Sequence, residues 1–172
     1  MVFSVFHCKI KLSFSFILML SFSLLLGSEK LLSVLLFASL HELGHLSLLL
    51  LFGGRPDTVT LAFYGIGMTH SVPLSRSREV LFLTGGIAVN LLFILLHIER
   101  DINAALFCIN ALPLYPLDMG RVMALYLPYR LCRFISVLIP IILLTAGLFL
   151  KNISLLLIAV YMIAFSFKEE LR

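Results

Sequence analysis

The chain has 172 residues, of which 61% are hydrophobic and 13% charged, with a mean hydropathy of +1.11 and a formal net charge of +4. Ordinary globular domains contain about 45–50% apolar and about 25% charged residues, so these values exclude a soluble enzyme. The basic residues are dispersed along the chain, which argues against nucleic acid as a partner and favours the lipid bilayer. The three cysteines show no paired spacing, so no disulfide framework is expected.

Six apolar runs bounded by charged residues follow in chain order, at about residues 12–27, 31–52, 80–98, 102–118, 134–150 and 153–167. A helix that crosses a bilayer needs roughly 20 residues, so six would leave about 52 residues for all loops and both ends. The pattern predicts an all-α polytopic membrane protein with about six transmembrane helices, folded as one integral membrane domain over residues 1–172. Lys9 and Lys11 precede the first run as in a signal peptide, but no small-x-small cleavage pattern follows, so we expect the run to be retained.

The distribution of Lys and Arg predicts the orientation of the chain. With a cytoplasmic amino terminus, six spans place residues 1–11, 53–79, 119–133 and 168–172 inside, and these segments hold 10 of the 13 basic residues. Cytoplasmic loops carry an excess of Lys and Arg, so both termini are expected to be cytoplasmic.

The loop between the second and third runs differs in composition from the other loops. Gly-Gly-Arg-Pro opens it at Gly53, residues 58–63 have the β-branched and aromatic composition of a strand, and Tyr64-Gly65-Ile66-Gly67 supplies turn residues. This predicts a short β-like hairpin or a re-entrant loop, which is tolerated at membrane depth only against protein or a wet cavity. A surface loop is the alternative.

The second run carries three ionisable residues within five positions: His41, Glu42 and His45. Such residues are costly inside a membrane and mark partners or functional sites. Four residues of spacing puts both imidazoles on one helix face, where they can reach one zinc ion, and the glutamate of His-Glu-x-x-His is placed to act on metal-bound water. Interhelical hydrogen bonding of the two histidines is the alternative without a metal.

A catalytic zinc ion takes three protein ligands and keeps one open position, so the chain needs a third ligand. It has three aspartates: Asp57, Asp101 and Asp118. By the orientation above, Asp57 lies in a loop and Asp101 on the outer side, whereas Asp118 and His45 both belong to the inner half of the bilayer. Asp118 is therefore the predicted third ligand, and a local ion pair between Asp118 and Arg121 is the alternative.

Two motifs in separate runs resemble those of the site-2 proteases, which are intramembrane zinc metalloproteases. They are His41-Glu42-Leu43-Gly44-His45 and Asn110-x-x-Pro113-x-x-Pro116-Leu117-Asp118-x-Gly120. Within that family the six-span architecture and the Leu-Pro-Leu-Tyr-Pro-Leu-Asp stretch are most similar to the sporulation branch represented by stage IV sporulation protein FB. The sequence departs from the family pattern at Met119, where glycine is usual, and at Gly85-Gly86-Ile87, where the family tends to have Gly-Pro. Neither a PDZ nor a CBS domain is expected.

The resemblance implies Zn²⁺ bound by His41, His45 and Asp118, with Glu42 as the general base. Asn110 would donate to the developing oxyanion, or would only hydrogen-bond backbone groups freed by Pro113. The implied substrate is a membrane-tethered protein cut in or near its transmembrane segment, such as a pro-sigma or anti-sigma factor, and an inhibitory membrane protein is a further expected partner. The implied location is a bacterial cell membrane, with the active site in the cytoplasmic half.

Three further expectations concern the remaining polar residues. The segment from Thr58 to Met68 is expected to pair with an extended substrate strand, with Thr58, Thr60 and Phe63 as contact residues. Asn90 is expected to form an interhelical hydrogen bond beside closely packed glycines rather than to act in catalysis. His70 and His97 are expected to be an ordinary loop residue and a membrane-edge residue.

Two other functions remain compatible with the motifs. A catalytically inactive scaffold of the same fold would keep the metal ligands, and the altered Asp118-Met119-Gly120 motif leaves room for it. A divalent-metal transporter would use the same histidines, but it should carry further ligands across the bilayer, and the outer half has almost none.

Overall fold

The computed structural model describes residues 2–5, 8–25, 27–62 and 65–170, which form four strands and seven helices. The strands are β1 (Val2–Val5), β2 (Cys8–Leu12), β3 (Thr58–Ala62) and β4 (Gly65–Thr69). The helices are α1 (Phe14–Leu25), α2 (Glu29–Leu51), α3 (Arg76–Leu95), α4 (Arg100–Asn110), α5 (Asp118–Ala124), α6 (Tyr129–Phe149) and α7 (Ile153–Glu170). The chain divides into two compact units, Met1–Ile109 and Asn110–Arg172.

Three helices of the described residues are long and apolar enough to cross a membrane: α2, α3 and α6, with 23, 20 and 21 residues. At 1.5 Å per residue each is about 30–35 Å long, which matches a hydrocarbon core of about 30 Å. These are the second, third and fifth of the predicted runs. The structure thus supports a membrane protein, while six spans are not shown.

Length explains why the other predicted runs differ. The helix in the first run, α1, has 12 residues and begins at Phe14, because the run's first residue, Leu12, is the last residue of β2. The helix in the fourth run, α4, has 11 residues and ends at Asn110, three residues before Pro113. Proline lacks the N–H that continues a helix and restricts the residue before it, so the run of 102–118 is split. In α7 the last three residues are charged, which leaves 15 residues for an apolar span.

A four-stranded sheet in the order β1-β2-β3-β4 corrects the all-α prediction to a mostly helical fold with a small sheet. The predicted β-like segment forms the antiparallel hairpin of β3 and β4, with Thr58 opposite Thr69. Strand β2 pairs parallel with β3, with Lys9 opposite Thr58, and α1 and α2 form the connection between them. Residues 2–5 and 8–11, predicted only as part of a cytoplasmic segment, therefore belong to the sheet.

Both ends of α2 have recognisable caps. Ser28 is the N-cap, and its side chain accepts a hydrogen bond of 3.4 Å from the backbone N–H of Leu31. At the other end Gly53 adopts a φ of +76°, which few other residues tolerate. The N–H groups of Gly53 and Gly54 donate to the carbonyls of Leu50 and Leu49, at 3.0 and 2.9 Å. This is a Schellman motif, and it turns the chain from α2 towards the sheet.

Helices α2 and α3 pack with their backbones close together. A Cβ added at Gly44 would lie 2.6 Å from the carbonyl oxygen of Gly85, so no larger residue fits at this contact. Small residues at a helix crossing allow this approach in membrane proteins. Phe82 and Leu83 of α3 are buried at 1% exposure beside the crossing. The sheet adjoins this pair, because β4 also contacts α2.

The second unit begins at Asn110, the last residue of α4, and contains the turn that leads to α5. Gly120 in α5 packs against the backbone of this turn: a Cβ there would overlap the carbonyl group of Leu114 and lie 2.5 Å from the backbone nitrogen of Tyr115. Met119 is helical, within the range Asp118–Ala124. The close approach therefore requires glycine at 120 and not at 119, so the departure from the family pattern at Met119 is compatible with the turn.

Candidate metal centre

Helix α2 places the two histidines one turn apart on the same face. Their rings meet edge to face, with centroids 4.8 Å apart and an angle of 80° between the planes. The Nε2 atom of His41 lies 3.2 Å from the Nε2 atom of His45. Each residue is 4% exposed. Two polar rings are thus buried with their Nε2 atoms facing one another.

Helix α3 supplies the partners of the other ring nitrogens. The Nδ1 atom of His45 lies 2.7 Å from the carbonyl oxygen of Phe82. The Nδ1 atom of His41 lies 3.1 Å from Nδ2 of Asn90. Between these two positions a Cβ on Gly86 would overlap Nε2 of His41 and lie 2.5 Å from Nε2 of His45. Phe82, Gly86 and Asn90 are spaced at four residues, which puts them on one face of α3.

These contacts fix which atoms of His45 carry protons. A carbonyl oxygen can only accept a hydrogen bond, so Nδ1 of His45 is the donor to Phe82. In a neutral imidazole the other nitrogen then has a lone pair. Nε2 of His45 therefore carries the lone pair that a metal ligand needs, and a hydrogen bond from Nδ1 to a backbone carbonyl is a common support for a metal-binding histidine.

Three observations fit a metal ion between the two histidines. The ligand atoms of His41, Glu42 and His45 all lie within 4.8 Å of one another. Two nitrogen ligands at about 2.0–2.1 Å from a tetrahedral zinc ion are separated by about 3.3 Å, close to the 3.2 Å found here. Both Nε2 atoms lie so close to Gly86 that a Cβ there would overlap them, so the two rings can keep this spacing only because residue 86 is glycine. The predicted histidine and glutamate residues thus form a group that could hold a metal ion.

Asp118 and Asn110 belong to the second unit, residues 110–172. Asp118 is 7% exposed and is the first residue of α5, and Asn110 is the half-buried last residue of α4. Their roles as third ligand and oxyanion donor remain predictions.

The predicted substrate residues lie in the hairpin. Thr58 and Thr60 are half-buried in β3, which has β2 on one side and β4 on the other. Phe63 lies outside the described residues. Because both edges of β3 are already paired, an added strand would have to pair with one of the outer strands, β1 or β4, and β4 is the one that belongs to the hairpin.

The remaining histidines lie outside the group of ligand atoms. His70 follows β4; its Nδ1 donates to the carbonyl oxygen of Val72 at 3.1 Å, and its Nε2 lies 3.6 Å from Oε1 of Glu79. Its ring also meets the Phe82 ring edge to face, with centroids 4.8 Å apart. His97 is exposed in the turn after α3, with a φ of 58°. His70 thus packs against the residue whose backbone carbonyl supports His45.

Sequence reasoning missed the roles of Phe82, Gly86 and Asn90 around the imidazoles. The four-residue spacing of these positions was visible in the sequence. However, spacing identifies a helix face and not its neighbour, so only the packing of α3 on α2 reveals that the face meets the histidines. Asn90 does make the predicted interhelical hydrogen bond, and its partner is a predicted metal ligand.

No family model matches the sequence, and no curated protein matches it either. Solved structures do match: a site-2 protease from Methanocaldococcus jannaschii superimposes with a TM-score of 0.69 at 20% sequence identity, over 98% of this chain and 94% of that one. An identity this low shows the fold alone. The chain therefore has a fold similar to that of a site-2 protease over nearly its whole length, together with a His-Glu-x-x-His group able to hold a metal ion.

Proposed function

We propose that this protein is an intramembrane zinc metalloprotease that hydrolyses peptide bonds in or near the transmembrane segments of membrane-tethered proteins. The observation that carries the proposal is the pair of buried imidazoles on α2, with Nε2 atoms 3.2 Å apart and Glu42 beside them. The helix that holds them is long and apolar enough to cross a membrane. The similarity of fold to a site-2 protease supports the same reading.

His41 and His45 would hold the zinc ion through Nε2, and Asp118 is the proposed third ligand. Bound zinc would supply a Lewis acid that lowers the pKa of water towards about 7 and polarises a peptide carbonyl. Imidazole nitrogen is a common zinc ligand, and the absence of a side chain at Gly86 lets both rings keep their Nε2 atoms 3.2 Å apart.

Glu42 is the proposed proton carrier. It follows His41 on α2, is half-buried, and has its carboxylate within 4.8 Å of the histidine ligand atoms. From there it would take a proton from the attacking water and deliver it to the leaving amine of the cleaved peptide bond. Asn110 is the proposed donor to the oxyanion that develops on the substrate carbonyl.

A transmembrane helix cannot be cut while its backbone is hydrogen-bonded, so the substrate must present an extended stretch. We propose that this stretch pairs with the outer edge of β4. Strand β4 contacts α2, the helix that carries His41 and Glu42. Gly67 of β4 is exposed, and a Cβ added there would meet no atom within 4 Å. Backbone pairing at a sheet edge is a general way to bind an extended peptide.

The orientation in the membrane is part of the same proposal. Pairing of β2 with β3 supports placing residues 8–12 and 58–62 on one side of the membrane, which the distribution of Lys and Arg predicts to be the cytoplasm. A bacterial cell membrane, an inhibitory membrane protein and a pro-sigma or anti-sigma substrate rest on the sequence resemblance, as does a role in sporulation.

The proposal is tested by comparing cells that express the wild type, Glu42→Gln or Glu29→Gln. Glu29 is exposed at the start of α2, so Glu29→Gln makes the same chemical change on the same helix, away from the histidines. Soluble fragments released from membrane proteins are quantified by mass spectrometry, and zinc content is measured on each purified protein.

Fragments whose new ends map to apolar segments should appear with the wild type and Glu29→Gln and be absent with Glu42→Gln, while all three proteins bind zinc. Zinc binding without any such fragments would favour an inactive scaffold. Fragments that persist with Glu42→Gln would remove the role assigned to Glu42. Zinc flux into liposomes containing the purified wild type would identify a transporter instead.

A further inference from the structure

The hydrogen bonds around His41 place its proton on Nε2, which is the nitrogen that would bind a metal. Nδ2 of Asn90 lies 3.1 Å from Nδ1 of His41, and an amide NH₂ group can only donate, so Nδ1 accepts. A neutral ring then carries its proton on Nε2. That Nε2–H points at Nε2 of His45, 3.2 Å away, which is the acceptor because Nδ1 of His45 donates to Phe82. The hydrogen bonds that run from Asn90 through His41 and His45 to Phe82 thus form a consistent set of donors and acceptors.

The same arrangement cannot bind a metal through Nε2 of His41, because that atom has no lone pair. Metal binding requires the other tautomer, with the proton on Nδ1 and an acceptor facing it. Asn90 carries such an acceptor on the same side chain, since rotation of the amide by 180° puts Oδ1 in the place of Nδ2.

The surroundings of Asn90 do not oppose this rotation of its amide. Asn90 is fully buried, and within the described part of the chain its Oδ1 has no hydrogen-bond partner. Either orientation therefore leaves one end of the amide unpaired, so the contact with His41 decides which is favoured. The 3.2 Å between the two Nε2 atoms suits both a hydrogen bond and a shared metal ion, so the rings need not move.

We infer that Asn90 is a positioning residue that couples the tautomer of His41 to metal binding. Its amide donates to Nδ1 while Nε2 carries the proton, and it turns to accept from Nδ1–H when Nε2 binds the metal. The proton on Nε2 leaves to water and one from water is added at Nδ1, so the ring stays neutral. The inference rests on the proposed metal site and makes no use of proteolysis.

The test uses the full-length protein in detergent with zinc as the ligand. The tautomer of His41 is read from the ¹⁵N chemical shifts of its ring, and zinc affinity from competition with a chromophoric chelator. In the wild type the His41 proton should lie on Nε2 without zinc and on Nδ1 with zinc. A tautomer that does not change on zinc binding would overturn the inference, and this measurement needs no variant.

Two substitutions distinguish a hydrogen-bond acceptor at residue 90 from a side chain that only fills the same space. In Asn90→Asp the carboxylate can only accept, so His41 should carry its proton on Nδ1 even without zinc, and zinc affinity should equal or exceed that of the wild type. Asn90→Leu has a similar volume and no acceptor, so zinc affinity should fall about 10–100-fold, as for other partners of metal-bound histidines.

Asn103→Leu is the matched control. Asn103 is also fully buried in the first unit, but its Nδ2 donates to the carbonyls of Ile98 and Glu99 in a turn. Its replacement should lower stability and leave zinc affinity unchanged. If the wild type binds zinc and Asn90→Leu binds it equally well, only the inference about Asn90 fails. If the wild type binds no zinc, the proposed function fails as well.

Discussion

Gly44 and Gly85 form the closest backbone contact between α2 and α3. A Cβ on Gly44 would stand 2.6 Å from the carbonyl oxygen of Gly85, and a Cβ on Gly85 would stand 2.8 Å from the carbonyl oxygen of Gly44. The contact is mutual, so neither helix can accept a larger residue without moving away. Because His45 lies on α2 and its partner Phe82 on α3, the spacing of these helices also sets the hydrogen bond between them.

Gly44→Ala or Gly85→Ala should therefore weaken both the fold and metal binding. Overpacking of a close contact costs about 1–3 kcal/mol of stability. Separation of the helices should also lengthen the bond from His45 to Phe82, and zinc affinity should fall about tenfold, the lower end of the usual effect of losing such a partner. Thermal unfolding and chelator competition measure the two effects. Gly67→Ala is the control, because a Cβ there meets nothing within 4 Å, and an equal effect at Gly67 would contradict the argument.

Gly86→Ala should remove zinc binding at a smaller cost to the fold. Its methyl group would overlap Nε2 of His41 and lie 2.5 Å from Nε2 of His45, so the two rings would be pushed away from the spacing that suits a shared zinc ion. A ligand at a hundred times its Kd stabilises a protein by about 2.7 kcal/mol, so zinc at that excess should raise the unfolding temperature of the wild type. That rise should be absent in Gly86→Ala. An undiminished rise would show that the metal is bound elsewhere.

The histidine and glutamate group could be predicted from the sequence because it lies on a single helix, where residue spacing alone determines which side chains share a face. The residues of α3 that contact the histidines, Phe82, Gly86 and Asn90, could not be predicted, because they depend on which face of α3 meets α2. The sheet was only half predictable. The hairpin of β3 and β4 is local, whereas β2 pairs with β3 across an intervening pair of helices, and Lys9 and Lys11 identified residues 1–11 only as a cytoplasmic segment. Hydropathy also registers apolar residues and not the break introduced by Pro113, so it did not predict that the run of 102–118 is split after α4.

Asp118→Asn should lower zinc affinity more than Asp101→Asn does. The proposal gives Asp118 one of three ligand positions, and an amide is a weaker zinc ligand than a carboxylate. Asp101 lies in the first turn of α4 and serves as the control for the loss of one negative charge. Chelator competition should give a large loss of affinity for Asp118→Asn and none for Asp101→Asn. Equal affinities for the two variants would mean that the third ligand is another residue, with Glu42 the first alternative to examine, since its carboxylate lies in the same group.

Removal of the metal should abolish the proteolytic activity and lower the stability of the protein. A chelator should stop release of fragments and lower the unfolding temperature, and added Zn²⁺ should restore both. A loss of cleavage without a change in unfolding temperature would indicate that the chelator removed a metal from the substrate and not from this protein. His41→Ala provides the reference, because it should behave like the chelated wild type and not respond to added zinc.

Substitution of Gly120 should lower stability strongly, whereas substitution of Met119 should lower it only slightly. Gly120→Ala places a methyl group in the carbonyl of Leu114, and neither backbone can yield without opening the turn before α5. We expect a loss of at least about 1–3 kcal/mol of stability, together with weaker zinc binding if Asp118 is a ligand. Met119→Gly introduces the glycine that is usual in site-2 proteases at a position that is simply helical, so it should cost only about 0.5–1 kcal/mol. Thermal unfolding and zinc affinity measured on both variants check this order, and a Met119→Gly protein that binds zinc much more tightly than the wild type would show that Met119 does disturb the third ligand.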